Sequence, residues 1–266
     1  MAIVSASPLN TFCWAELCSN DWQAAKTFYL NLFDWTAVDQ PIGEDFYYTL
    51  MQKQGVDVAA MYQMMPMQAE QGVPSHWLGY VAVDNVDAMA EKAIGLGAKV
   101  LCEPHDVPAA GRTVMLEEPG GAVFSLWQAN GHPGTQRKLE TNVPYWHELA
   151  TKDAQQSRSF YCGLFGWQAE LKPMEGFDYT LFCVDGSPIA GMMQMTAEWG
   201  NIPPHWMIYF AVANTDAMLT KVEQLGGQVC VPATDIPEVG RFAVITDPSG
   251  AVCSILQSCM NDVCDD

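Results

Sequence analysis

Two tryptophan–glutamate pairs are the residues of this sequence best suited to chemistry. Trp14 precedes Glu16 by two positions, and Trp146 precedes Glu148 by the same spacing. Both pairs lie in alternating stretches typical of half-buried strands, so the two members of a pair share one face of a strand. An indole beside a carboxylate binds cations through its ring face and through charge. Each pair therefore predicts a wall suited to a cationic ligand.

An ion pair is the structural alternative for each glutamate. Arg112 and Arg241 occupy matching positions in the two halves of the chain. Their positive charge would let them pair with Glu16 and Glu148 and so brace neighbouring strands. An unpaired carboxylate in a cleft is costly, which favours such pairing. Both interpretations stay open, and the arginines are kept as candidate ligand-binding residues.

Histidine and tyrosine side chains on neighbouring strands are further candidates. Imidazole titrates near neutrality and can act as a general base, and a phenol can donate to a ligand carbonyl. The structural alternative is that each side chain only satisfies its own hydrogen bonds inside the fold. The candidates are Tyr48, His76, Tyr80, Tyr179, His205 and Tyr209.

The three remaining histidines give weaker signals. His105 and His132 stand in loop-like sequence without companions, so we expect them to be solvated. His147 has no counterpart in the first half, where Ala15 stands. Any role of His147 is therefore confined to one half of the chain.

The stretch that carries the first pair occurs twice. Exactly the same separation, 132 residues, divides Trp14 from Trp146 and Trp35 from Trp167. A constant displacement over a whole strand-to-helix unit indicates duplication. The chain should therefore be read as two copies of one domain.

Each copy contains two units of one strand, one helix and three strands. In the first unit an alternating strand over Phe12–Cys18 leads to a helix that Asp21 can cap. The second unit restarts at Trp77, with Asn85 or Asp87 as the cap of its helix. The pattern predicts an α+β protein of four βαβββ units.

The domain boundaries follow from the repeat. We predict a first domain over residues 1–130, a linker over 131–141 that is rich in Gly and Pro at its start, and a second domain over 142–266. The two domains are expected to pair within the chain, and a homodimer is left open.

Composition excludes several classes of protein. The 266 residues carry 31 acidic side chains against 12 Lys plus Arg, a net charge of −19, which repels the phosphates of nucleic acids. No apolar run is long enough for a membrane span, and no basic, apolar leader begins the sequence. Nine cysteines without a Cys-x-x-Cys pair suit free thiols in a reducing cytoplasm.

The repeated motifs resemble the vicinal oxygen chelate superfamily, which includes glyoxalase I, bleomycin-resistance proteins and extradiol dioxygenases. The resemblance covers about residues 10–129 and 142–258. It implies two βαβββ units per domain, whose sheet curls into an open barrel with helices outside and a ligand cleft inside. The motifs are Asp21 with Phe28-Tyr29 and Phe33-x-Trp35, Asp153 with Phe160-Tyr161 and Phe165-Gly-Trp167, and Gly240-Arg241 followed by Asp247-Pro-Ser-Gly250-Ala.

Enzymes of that superfamily usually hold a metal ion with His and Glu side chains of the cleft. The positions of this sequence that match those ligands carry Trp, Ala, Leu, Ser, Gly and Met, none of which suits a divalent metal. A register slip of one residue adds only His147 and Cys253, which is still short of three ligands. We predict no metal and no other cofactor. The positions are Trp14, Ala60, Leu78 and Ser125 in the first domain and Trp146, Gly191, Met207 and Ser254 in the second.

Two functions remain from the sequence. The first is a metal-free module that binds a small, partly aromatic or cationic organic molecule in its barrel clefts. The second is a glyoxalase- or dioxygenase-like enzyme, either metal-dependent or using acid–base chemistry. The catalytic candidates in the second case are Glu16, His76, Glu148 and His205.

Overall fold

The computed structural model describes residues 6–44, 46–174 and 176–259 and contains two eight-stranded sheets in that part of the chain. The first sheet is built from β1–β8 and the second from β9–β16. Strands of the first sheet are β1 Phe12–Ser19, β2 Thr36–Gly43, β3 Phe46–Lys53, β4 Val56–Gln63, β5 His76–Ala82, β6 Lys99–Val107, β7 Gly111–Glu117 and β8 Val123–Ala129. Those of the second are β9 Pro144–Thr151, β10 Gln168–Met174, β11 Phe177–Val184, β12 Ser187–Gln194, β13 His205–Ala211, β14 Gln228–Ile236, β15 Gly240–Thr246 and β16 Val252–Ser258.

The two sheets have the same topology. The order is β2-β3-β4-β1-β5-β8-β7-β6 in the first and β10-β11-β12-β9-β13-β16-β15-β14 in the second. The central pairs β1–β5 and β9–β13 are antiparallel and join two βαβββ units into one curled sheet. The predicted α+β fold of four βαβββ units, with glyoxalase-like open barrels and helices outside, is confirmed.

Short helices connect the strands and begin at polar caps. Asp21 accepts from the Ala24 amide at 3.0 Å, and Asn85, rather than Asp87, accepts from the Ala88 amide at 2.9 Å. These bonds satisfy amides that the first helical turn leaves unpaired. The helices are α1 Trp22–Phe33, α2 Pro66–Glu70, α3 Val86–Gly95, α4 Ala154–Phe165 and α5 Thr215–Gln224.

The outer faces of the sheets and their helices form cores that both halves share. Ala15 and Leu17 of β1 lie under α1 in one core, which also contains Phe210 of the second sheet. Two hydrogen bonds between the halves accompany this packing. The Trp35 indole donates to the carbonyl of residue 142 at 2.8 Å, and the Trp167 indole donates to that of residue 10 at 2.7 Å. The halves are therefore docked through apolar surface, with the inner faces left for other contacts.

The segment 131–141 between β8 and β9 is packed into the protein. Arg137 and Glu140 are buried and form an ion pair at 2.6 Å. Lys53 of β3 lies 3.5 Å from the same carboxylate and donates to the carbonyl of Thr141 at 2.9 Å. The segment is thus held against the first sheet.

One strand is longer than the sequence predicted. Strand β6 continues to Val107, so His105 lies in an exposed edge strand and not in a loop. Its alternation was hidden because the pairing with β7 contains two register shifts.

Within the described residues, none of the helices has the length and apolar character needed to cross a membrane.

Candidate functional site

A hydrogen-bonded group on the inner face of the first sheet surrounds Glu16. The phenols of Tyr48 and Tyr80 donate to its two carboxylate oxygens, each at 2.7 Å. The Trp14 indole donates to the Tyr48 hydroxyl at 3.2 Å. We call Trp14, Glu16, Tyr48 and Tyr80 the first Tyr–Glu network.

The second sheet repeats the arrangement almost to the atom. Tyr179 and Tyr209 donate to the two oxygens of Glu148 at 2.7 and 2.8 Å, and the Trp146 indole donates to Tyr179 at 3.2 Å. We call Trp146, Glu148, Tyr179 and Tyr209 the second Tyr–Glu network. Strand register explains the repeat, because Trp146 pairs with Tyr209 just as Trp14 pairs with Tyr80.

Neither Glu16 nor Glu148 has a positively charged partner among the described residues. Burial raises the pKa of Glu16 and of Glu148 above the usual range of a glutamate, and the phenol hydrogen bonds only partly oppose this. Burial and the adjacent carboxylate also raise the pKa of the tyrosines well above the usual value. Each network is therefore able to hold or release a proton closer to neutrality than an exposed glutamate does.

The expected alternative, an ion pair between Glu16 and Arg112, is wrong. The Arg112 guanidinium instead bonds Asp87 at 2.8 Å and Asp106 at 2.9 Å, both of them exposed. These acids lie on α3 and β6, so Arg112 braces the outside of the sheet.

The equivalent pairing in the second sheet is wrong for the same reason. Arg241 bonds Asp216 and Asp235, each at 2.9 Å, and not Glu148. The twofold occurrence of this Asp, Asp and Arg set in the sequence was the signal that could have found the true partners.

The candidate histidines lie at the ends of strands β5 and β13, apart from the carboxylates. His76 and His205 are partly buried, and the Nδ1 atom of each lies 2.8 Å from the carbonyl of a proline two residues earlier. No hydrogen bond in the described chain joins either ring to Glu16 or Glu148. The structure therefore does not bring these histidines into the networks.

Neither inner face offers the ligand set of a superfamily metal ion. Glu16 faces Ala60 and Leu78 in the strand register, and Tyr80 faces Ser125, so one carboxylate stands among methyl, hydroxyl and indole groups. Within the described residues there is no cluster of three His, Cys, Asp or Glu side chains suited to a metal. A single network glutamate, already bonded to two phenols, does not fit a catalytic metal site.

The alternative register with His147 and Cys253 as ligands is wrong. His147 points to the outer face and stacks on Phe12 with 3.9 Å between ring centroids. Cys253 lies in a core, 3.9 Å from the Tyr29 hydroxyl. The two side chains therefore belong to packing between the halves.

The two networks differ in exposure. Trp14 and Glu16 are buried, with 6% and 8% of their surface exposed. Trp146 and Glu148 are only partly buried. Cavities of about 430 and 340 Å³ lie elsewhere on the surface, one beside Trp22 and one beside Pro119, and neither is lined by network residues.

His132 accounts for part of this difference in exposure. The sequence analysis predicted a solvated loop residue and missed its contact with Trp14. Its ring stands edge-on to Trp14 with 4.6 Å between centroids, and it is partly buried. Its Nε2 atom lies 3.7 Å from a carboxylate oxygen of Asp57, and its carbonyl accepts from the Trp127 indole at 2.9 Å. The connecting segment thus covers the first Tyr–Glu network.

Comparison with known proteins agrees with this geometry at the level of the fold. The model of the family described as "Glyoxalase/Bleomycin resistance protein/Dioxygenase superfamily" matches residues 11–126 and 145–255. The structure of the Mn(II)-bound glyoxalase from Novosphingobium aromaticivorans superposes with a TM-score of 0.64 at 16% identity, covering 97% of this chain and 87% of that one. The 2,3-dioxygenase LapB from Pseudomonas sp. KL28 superposes with a TM-score of 0.62 at 11% identity, covering 99% of both chains.

Relatives at higher identity cover nearly the whole chain. "Putative glyoxylase CFP32" of Mycobacterium tuberculosis is 37% identical over 246 residues, which cover 92% of this chain and 93% of that protein. "Anthracycline biosynthesis protein DnrV" of Streptomyces peucetius is 31% identical over 259 residues, covering 92% of both. Both similarities span the two sheets and the segment between them.

Proposed function

Because the chain belongs to the glyoxalase/bleomycin resistance protein/dioxygenase superfamily, we propose that it uses a barrel cleft of that fold to bind a small organic molecule with a positive charge and an aromatic part. The binding residues are those of a Tyr–Glu network. No metal ion takes part, since the inner faces lack its ligands.

The observation that carries the proposal is a carboxylate beside an indole, with no positive side chain in the described part of the chain to balance it. The pKa of Glu148 is set there by burial and two phenol hydrogen bonds, and the same holds for Glu16. A buried acid in this state is costly, and a cationic ligand supplies the missing charge. The Trp146 ring adds a cation–π contribution of about 0.5–2 kcal/mol. The phenols fix the carboxylate in position before the ligand arrives.

The names of relatives support an organic ligand. One is named for anthracycline biosynthesis and another as a glyoxylase. Both names refer to the chemistry of organic molecules. For this chain, an organic ligand is what we propose.

Benzyltrimethylammonium and its uncharged carbon isostere, neopentylbenzene, provide a direct test by isothermal titration calorimetry. We expect the ammonium to bind at least about tenfold more tightly than the isostere, since charge is the only difference between them. The double variant Glu16→Gln/Glu148→Gln should lose this preference. Glu103→Gln removes one charge from the exposed part of β6 and serves as the control for long-range attraction by the net charge of −19.

The pH dependence follows from the raised pKa of Glu148. The protonated acid carries no charge, so affinity for the ammonium should rise as pH increases through that pKa, above the usual glutamate value of about 4.3. Affinity for the ammonium that does not rise with pH anywhere in the range in which the protein stays folded, or stabilisation by Mn²⁺ or Zn²⁺ alone in a thermal-shift assay, would contradict the proposal.

A metal-free acid–base enzyme is the second candidate. The raised pKa of Glu148 beside two phenols favours it, because such a carboxyl keeps its proton to a higher pH than an exposed glutamate does. Once a ligand is identified, NMR detection of solvent deuterium entering a C–H bond of that ligand tests this function. Exchange that persists in Glu16→Gln/Glu148→Gln would assign it to other residues.

A further inference from the structure

We infer that the two clefts have diverged, so that the second Tyr–Glu network is the ligand site and the first is closed by the segment 131–141. This inference rests on the proposed function for its ligand class, a cation with an aromatic part. Its structural half, the closure of one cleft, stands on the packing of His132.

The His132 ring occupies the space beside Trp14 that a ligand would need. It meets the indole edge-on at 4.6 Å, and Trp127 closes the other side with 6.4 Å between ring centroids. Its backbone carbonyl is bonded to the Trp127 indole, and its Nδ1 accepts from the Gly134 amide at 3.3 Å. A ligand cannot reach the face of Trp14 in this position without displacing the imidazole.

The segment that carries His132 is fixed directly to β1. The Thr135 amide donates to the carbonyl of Cys13 at 2.8 Å. Gly134 has φ +88°, and a Cβ there would collide with the same carbonyl oxygen, so only glycine permits the contact. The buried pair Arg137–Glu140 holds the next turn. Displacement of His132 would therefore disturb several bonds at once.

The second sheet lacks the residues that hold such a lid. Asp57, next to the His132 ring, is replaced by Pro188 at the equivalent position of β12, and Trp127 is replaced by Leu256 in β16. Neither replacement offers a carboxylate beside such a ring or an indole N–H to hold its backbone carbonyl. Of the described strands, those of the first sheet carry the side chains that hold a closing histidine, and those of the second do not.

The walls of the second cleft also suit an aromatic ligand better. Met207 stands where the first sheet has buried Leu78, and Phe242 stands where it has buried Thr113. Both are partly buried, and the Phe242 ring lies 6.4 Å from that of Tyr209. A thioether and an added aromatic ring make an adaptable apolar wall beside Glu148.

Titration with benzyltrimethylammonium distinguishes the two clefts. We expect one ammonium per chain, affinity reduced about tenfold or more by Glu148→Gln, and affinity unchanged by the matched variant Glu16→Gln. Two equivalent sites per chain, or equal losses in the two variants, would overturn the inference while leaving the proposed function intact.

A measurement without ligand binding tests the closure itself. In protein labelled with 5-fluorotryptophan, the ¹⁹F resonances of residues 14 and 146 are assigned with Trp14→Phe and Trp146→Phe. The uncharged nitroxide 4-hydroxy-TEMPO should broaden the Trp146 resonance more than that of Trp14, and His132→Ala should raise the broadening at Trp14 to the level of Trp146. Equal broadening of the two resonances in the labelled protein that retains His132 refutes closure. Unequal broadening without any ammonium binding refutes the proposed function alone.

Discussion

His147 is the buried group whose protonation should most weaken the protein in mild acid. Its ring is parallel to that of Phe12, with an interplanar angle of 1°, and only 8% of its surface is exposed. The Nε2 atom has no hydrogen-bond partner among the described residues. Burial, together with the positive charge of Lys138, lowers the pKa of His147 to about 3.

The magnitude follows from linkage between protonation and folding. In the unfolded chain the imidazole titrates near its usual value of about 6.5, so it is protonated there at pH 5 while the native imidazole stays neutral. Stability is therefore lost as pH falls below about 6.5, and the loss stops only near the native value. Between pH 8 and pH 5 the calculated cost is about 2 kcal/mol.

Urea unfolding at pH 8 and pH 5 measures this cost in the wild-type protein and in His147→Phe, which keeps an aromatic ring against Phe12. The lower pH stays above the sequence pI of about 4.3, where the protein would carry little charge. The wild type should lose about 2 kcal/mol more than the variant between the two pH values. Glu16 and Glu148 titrate in the opposite direction, but their contribution is common to both proteins and cancels.

The corresponding substitution His105→Phe, on the exposed edge strand β6, is the control and should leave the pH dependence as it is in the wild type. If His147→Phe and the wild type lose the same free energy of unfolding on acidification, the imidazole is not held neutral in the native state. The assignment of acid sensitivity to this buried ring would then be refuted.

Two further substitutions test the packing around the networks and the connecting segment. In Gly191→Ala the added Cβ would lie on the Tyr179 hydroxyl, so the ring must shift; since Ala60 occupies the equivalent position of the first sheet with Tyr48 still bonded to Glu16, we expect a loss of only about 1 kcal/mol in thermal unfolding and ammonium binding that is retained, whereas loss of binding would show that the second cleft does not tolerate this adjustment. In Glu140→Gln the buried Arg137 and Lys53 lose a shared negative partner, so urea unfolding should report a cost on the order of 3 kcal/mol, and a cost near zero would mean that their other contacts suffice.

The repeat and the alternation of β1 and β9 predicted most of the fold and the shared face of each tryptophan–glutamate pair. Trp14 and Glu16 share the inner face because strand side chains alternate, and β5 places Tyr80 opposite Trp14 for the same reason. These relations need only local periodicity and a constant displacement between copies. They could therefore be obtained from one sequence.

The partners of Glu16 could not be chosen from periodicity, because the choice depends on how strongly the sheet curls. Tyr48 and Arg112 both lie on strands of the first sheet, but only the phenol reaches the carboxylate, while the guanidinium is taken by Asp87 and Asp106. Likewise, the segment around His132 has no periodic pattern to reveal that it folds back over Trp14. Its position is set by contacts distant in sequence.

Duplication explains why one carboxylate can be covered while its twin stays accessible. A buried glutamate without a counter-ion is a burden on stability in either copy, and the phenols reduce that burden equally in both. In the first sheet His132 adds an aromatic contact to Trp14 and excludes solvent, so the cleft gains packing and gives up access. In the second sheet burial also raises the pKa of Glu148, and on the proposed function a cationic ligand offsets the cost of the buried charge. On the proposed function, the same set of one Trp, one Glu and two Tyr supports packing in the first cleft and recognition in the second, and the two clefts differ in the exposure of the indole.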